Sequence, residues 1–166
     1  MGRGSFINHR KGEVSYANLP TKSDMIWIDP VTGVQYSFDN VRNYWLSTSK
    51  HEFEFARNGN ADGMYLPLMG DLYDMEDAYV LPYNAVITGV WCRSKLGETS
   101  KSFDIRINGA TAFTFAYDGS GNRLYINNDL NIAVESLDEI NIYVSKDGDT
   151  AKNTVCKLET SRRFDI

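Results

Sequence analysis

What most constrains this chain is its rhythm. From Met25 onward, short runs rich in β-branched and aromatic residues alternate with turn residues, and no stretch shows the 3.6-residue periodicity of a long helix. The strand-like runs are Met25–Ile28, Val34–Phe38, Phe53–Phe55, Ala85–Arg93, Phe103–Ile107, Thr111–Phe115, Leu130–Val134, Ile140–Val144 and Thr154–Leu158. Many short strands with turn signals between them predict an all-β sandwich or barrel. No sequence repeat recurs at a fixed period, which disfavours propellers and solenoids.

The 166 residues hold one domain plus an appendage, and 42% hydrophobic with 13% aromatic residues is ample for a core. The net charge of −5 is modest and carries no basic face of the kind nucleic-acid binders use. It is unevenly spread. In residues 1–24, Arg3, Arg10, Lys11 and Lys22 outnumber Glu13 and Asp24 for a net +2, leaving −7 on residues 25–166. A basic, apolar-poor segment on an acidic body reads either as a tether that docks elsewhere or as a terminus without a role. No apolar h-region precedes Leu19, and no segment reaches the roughly 20 apolar residues that span a bilayer. Synthesis in a cytoplasm, without membrane insertion, is the expectation. Cys92 and Cys156 fall mid-strand without metal-ligand spacing and read as buried free thiols.

Three segments follow from the pattern: an extended arm at 1–24, a β-hairpin module at 25–48 and a sandwich body at 49–166. In the module, Asp29-Pro30-Val31-Thr32-Gly33 separates two strand-like runs. Pro30 pre-sets φ for a turn and Gly33 supplies a positive-φ position, so a hairpin is expected. Val34, Tyr36 and Phe38 alternate onto one face, which must pack on the body or on a neighbouring chain. In the body, Arg57-Asn58-Gly59-Asn60-Ala61-Asp62-Gly63 reads as a double turn. Asn108-Gly109 between two alternating runs is the strongest hairpin signal in the chain.

Catalytic chemistry is sparse. His9 and His51 have no second imidazole or thiol at ligand spacing, and adjacent strand residues such as His51 and Glu52 point to opposite faces. There is no Gly-x-Ser-x-Gly elbow and no phosphate-cradling Gly-Lys-Ser/Thr; Gly119-Ser120-Gly121 is explained as a turn. Asp71, Asp74, Glu76 and Asp77 form the one dense carboxylate cluster, read as a solvated acidic loop in preference to a Ca²⁺ site or a glycosidase pair. No enzyme activity, metal or cofactor is therefore expected. Tyr73, Tyr79 and Tyr83, in or beside that long loop, are candidates for an interface or for glycan contact. Arg162-Arg163 reads as a solvated end or as a partner for a neighbouring subunit's acidic loop.

The succession Asp29…Thr32-Gly33…Tyr36…Trp45-Leu46-Ser47, then Phe53, Phe55 and Arg57–Asn60, then Tyr65-Leu66 and Leu81–Thr88, resembles segments in structural proteins of tailed bacteriophages. The resemblance implies a C1q/TNF-like jelly-roll head and a homotrimer. The short arm in place of a long fibre points to a decoration or cement protein, with Arg3, Arg10 and Lys11 docking on carboxylates of the major capsid protein or another virion protein. The alternative is a receptor-binding head of a tail or capsid fibre that recognises cell-surface glycans.

Overall fold

The structure is a computed structural model, and it describes residues 7–9, 12–15, 26–68, 78–96, 100–119 and 121–164. These residues form strands and turns without a helix: an antiparallel, jelly-roll-like β-sandwich, with the arm and hairpin extending one of its two sheets. The strands are β1 (Ile7–His9), β2 (Gly12–Ser15), β3 (Ile26–Ile28), β4 (Gln35–Asp39), β5 (Tyr44–Ala61), β6 (Met64–Tyr65) and β7 (Tyr79–Val80). They continue with β8 (Ala85–Leu96), β9 (Lys101–Ile107), β10 (Ala110–Tyr117), β11 (Gly121–Asn127), β12 (Ile132–Val134), β13 (Glu139–Val144) and β14 (Ala151–Phe164).

The larger sheet runs β1-β2-β3-β4-β5-β14-β8-β11, with β12 beside β11 along the same edge of β8; the smaller runs β10-β9-β13-β6, with β7 also on β13. All pairings are antiparallel except β2–β3, where Val14 and Ser15 lie beside Ile26 and Trp27. The arm therefore pairs with its own chain along its described strands.

Alternation explains the layers. Phe53 and Phe55 of β5, Cys156 and Leu158 of β14, and Val90 and Cys92 of β8 point inward from the larger sheet. They meet Phe103 and Ile105 of β9, Phe115 and Tyr117 of β10, and Ile140, Ile142 and Val144 of β13. Phe115 and Tyr125 stack at 4.7 Å, which seals the sandwich between the β10 and β11 edges. Lys101 brings a charge into this interior. Its side chain is 0% exposed, and its Nζ donates to Asp62 Oδ1 at 2.5 Å and to the Asp147 carbonyl at 2.9 Å. A buried ammonium is tolerable only with such partners.

The hairpin at 29–33 forms as expected. Gly33 takes φ 72°, its N–H donates to the Asp29 carbonyl at 2.8 Å, and the Val31 N–H and Thr32 hydroxyl donate to the Asp29 carboxylate. Those donors hold the Asp29 carboxyl below the usual range. Asn108 and Gly109, at φ 51° and 78°, close the β9–β10 hairpin in the primed turn that matches strand twist. The aromatic face of the hairpin packs within the chain. Trp27, Tyr36 and Trp45 form a second buried cluster, and Phe164 at the end of β14 meets Trp27 at 4.5 Å and Tyr36 at 5.6 Å. β5 runs unbroken from this cluster into the body.

Three expectations are corrected. The run 57–63 is not a double turn: β5 continues to Ala61, and the chain reverses only at Asp62-Gly63. Gly59, at φ 90°, sits in a bulge opposite Asn153, at φ 51°, whose Oδ1 accepts the Gly59 N–H at 2.9 Å. A bulge consumes the same positive φ that a turn would. Second, a strand absent from the expected set, β11, covers Arg123–Asn127 and starts at Gly121. Third, Cys92 and Cys156 are not free thiols. They sit directly opposite each other on β8 and β14, with Cα atoms 4.0 Å apart, and form a disulfide across 64 residues of sequence.

Candidate functional site

The outward face of the larger sheet carries the chemistry. Where β8, β14 and β5 lie side by side, inward residues form the core. The outward ones on β8 are Gly89, Trp91, Arg93 and Lys95, followed by Val155, Lys157 and Glu159 on β14 and by Glu52 and Glu54 on β5. Register sets their neighbours: Trp91 lies between Lys157 and Ile126, and Glu159 lies opposite Gly89. Because Gly89 has no side chain, a notch opens beside the Trp91 ring. A Cβ at position 89 would come within 3.3 Å of the Asn127 carbonyl and 3.5 Å of Asn128 Oδ1, so the 127–130 turn forms one wall of that notch.

The notch is part of a hollow of about 310 Å³ bounded by Trp91, Lys157, Glu159, Glu52 and Asn128. A second hollow of about 320 Å³ adjoins it at Asn128 and the Lys50–Glu159 pair, and runs on to Thr88, Ser161, Asp39 and Arg42. Its far end is tied down by Arg42. The guanidinium donates to the carbonyls of Leu130 at 2.6 Å, Asn128 at 2.8 Å and Thr88 at 3.3 Å, and pairs with Asp39 at 2.8 Å. Burial pushes the Asp39 carboxyl up, but hydrogen bonds from the Arg42 amide and guanidinium, with the Arg42 charge, outweigh it and hold the group below the usual range. Charges along the groove are paired: Lys50 with Glu159 at 2.7 Å, and Lys157 with Glu52 at 3.7 Å and Glu54 at 3.9 Å. The Thr88 hydroxyl also donates to Glu159, at 2.8 Å.

Beside the groove lies the edge. Among the described residues β11 has one neighbouring strand, β8, and its outward Leu124 and Ile126 are 54% and 53% exposed. Ile126 lies beside Trp91, so an apolar pair links this edge to the rim of the groove, while Leu124 lies beside the exposed Arg93.

The residues singled out in the sequence fall elsewhere. Arg3, Arg10, Lys11 and Tyr73, and the carboxylates of 71–77, lie outside the described residues. Tyr79 and Tyr83 come near one another at the end of the sandwich. The Tyr79 ring stacks on Phe53 at 4.2 Å and its hydroxyl bonds His51 Nε2 at 2.6 Å; burial, then Tyr83, pushes its phenol up. Tyr83 lies under the Arg162 guanidinium at 5.3 Å. Arg163 pairs within its own chain, with Glu135 at 2.6 Å. Among the described residues no group of three or more His, Cys, Asp or Glu is placed to hold a metal, and no helix is long and apolar enough to cross a membrane. Sequence reasoning missed the groove. Trp91 within an otherwise buried run, two residues after a glycine, was its one local signal.

No family model and no curated protein matches the chain. Among solved structures, it is similar to the CBM36-1 domain of a multidomain xylanase from the hindgut metagenome of Trinervitermes trinervoides. That match has 18% identity and a TM-score of 0.41, covering 65% of this chain and 96% of that one. A protein of the disulfide-linked pili that form Bacillus endospore appendages aligns at 9% identity and a TM-score of 0.35, covering 69% of this chain and 88% of that one.

Proposed function

We propose that the chain is a non-enzymatic structural protein of a tailed-phage virion, a small decoration or cement protein working as a homotrimer on the particle surface. The observation that supports this reading best is the β11 edge. Among the described residues β11 is paired on one side only; such an edge presents a row of free backbone donors and acceptors, and Leu124 and Ile126 add exposed apolar area beside it. β11 carries only Arg123 as a charged residue, and that side chain is not among the outward ones, so the edge lacks the outward charges that keep solitary sheets apart. A neighbouring copy or a shell lattice covers it. In a trimer, the edge docks on a different surface of the next copy, because pairing of β11 with itself closes a dimer instead. The basic arm, with Arg3, Arg10 and Lys11, then meets carboxylates of the capsid, an attachment that weakens with salt.

The alternative, a glycan-recognising fibre head working through Tyr73, Tyr79 and Tyr83, draws no support from Tyr79, whose ring and hydroxyl are both engaged.

Native mass measurement of the purified chain tests the assembly. The expected mass is three copies, falling to one in the double variant Leu124→Lys/Ile126→Lys with its circular dichroism unchanged. A wild-type monomer or dimer rejects the trimer. Deleting residues 1–24 should abolish binding to capsid shells, and unchanged binding rejects the docking role of the arm.

A further inference from the structure

We infer that the groove on the outward face of the larger sheet is a saccharide site, with Trp91 as its stacking platform and Asn128, Glu159 and Lys157 as its polar contacts. This stands independently of the assembly reading, since it concerns the face of β8, β14 and β5 beyond the β11 edge.

Three observations converge on that ligand class. The first is the aromatic ring. Trp27 and Trp45 are buried at 4% and 5% exposure in the second cluster, whereas Trp91 stands outward, partly exposed, with no described aromatic neighbour. A pyranose presents one apolar C–H face, and an indole standing beside an open notch is the surface such a face covers.

The second is the notch. Gly89 leaves room next to the ring, and the Arg42 strap fixes the turn that walls it, so the hollow is formed before any ligand arrives. Its volume of about 310 Å³, continued by about 320 Å³ beyond Asn128, gives a track and not a single closed pocket. A linear chain of sugars occupies such a track.

The third is the charge pattern. Lys50 and Lys157 stand among Glu52, Glu54 and Glu159, two positive charges against three negative, so the groove offers no positive field for a phosphate, a nucleic acid or a polyanion. What remains are mixed donors and acceptors. The Asn128 side-chain amide is exposed and has no described partner, the exposed Thr48 lines the second hollow, and Glu159 retains Oε2 beyond the bonds its Oε1 makes. Hydroxyl groups both donate and accept, and a neutral oligosaccharide matches this array as an ion would not.

The test titrates the intact chain with neutral hexasaccharides of glucose, xylose and mannose, followed in every variant by isothermal titration calorimetry and, where Trp91 is present, by tryptophan fluorescence with iodide as quencher. Because the other two indoles are buried, protection from iodide reports Trp91. One probe is expected to protect it, with affinity about tenfold weaker in Asn128→Ala and lost in Trp91→Ala. Leu124→Lys alone, whose register partner is Arg93 and not Trp91, should bind that sugar as the parent does, whatever its mass. That separates the two proposals: a monomeric wild type that binds sugar rejects assembly alone, and a trimer that binds none of the probes rejects the saccharide site alone. Binding unaltered by both Trp91→Ala and Asn128→Ala also overturns it. A Trp91→Ala variant that loses its trimeric mass but not sugar binding assigns the ring to the subunit contact and overturns the stacking role.

Discussion

The sandwich core and the Trp27–Tyr36–Trp45 cluster are both buried and both aromatic, yet they are held in different ways. The core lies between two sheets, and its aliphatic and aromatic side chains are enclosed from both layers. The smaller cluster sits where the larger sheet runs past the sandwich. It leans on one terminal side chain, Phe164, while the Arg42 strap ties the adjoining turn to the body. An enclosed core cooperates as a unit. A cluster at the end of a sheet depends on the body but contributes little back to it.

The sharpest way to break that contrast is to truncate one residue in each. Phe55→Ala, at a position with 0% exposure, should cost about 3–5 kcal/mol and lower the whole unfolding midpoint. Trp27→Ala should instead lower hydrogen-exchange protection over 26–39 and leave the midpoint of the body nearly in place. Equal shifts in the global midpoint would show that the two regions are one cooperative unit.

Next in size is the disulfide, which belongs to the core alone. Replacing Cys92 and Cys156 together with Ala should cost about 2–4 kcal/mol in chemical denaturation, because the link closes a long loop in the unfolded chain. Thiol titration of the denatured, unreduced protein should find no free thiol, and two thiols would refute the pairing.

The smallest effect is expected on the other side, at the strap. The folded-state pKa of Asp39 lies below its ordinary 3.8, so its contribution is present above that value and is lost as pH falls through the folded one. Acid should therefore loosen the 127–130 turn before the core. Exchange protection at Leu130 measured on lowering the pH through 4 and below checks this, and Asp39→Asn should remove the dependence. Loss of core protection first would reverse the order.

Local chemistry made much of the architecture legible. The Asp29–Gly33 and Asn108-Gly109 turns are set by φ preferences of a few adjacent residues, so they could be read directly. β11 was missed because Arg123-Leu124-Tyr125-Ile126-Asn127 turns its aliphatic residues to the outside and only Tyr125 toward the core, a pattern that shows no apolar inner face. The Gly59 bulge was mistaken for a turn because a positive φ serves both, and only Asn153, on the opposite strand, decides between them.

The groove was invisible for a related reason. Glu52, Gly89, Trp91, Asn128 and Glu159 come from β5, β8, β14 and the turn after β11, and nothing in their spacing announces that they meet. The amino-acid order alone dictated an all-β chain and tight reversals such as Asp29–Gly33 and Asn108-Gly109, since each of these rests on neighbours along the backbone. Which cysteines join, which strand is left open and which side chains share a face were decided only by strand register in the folded sheet. Register links residues separated by long stretches of chain, and a shift of one position would exchange inside for outside.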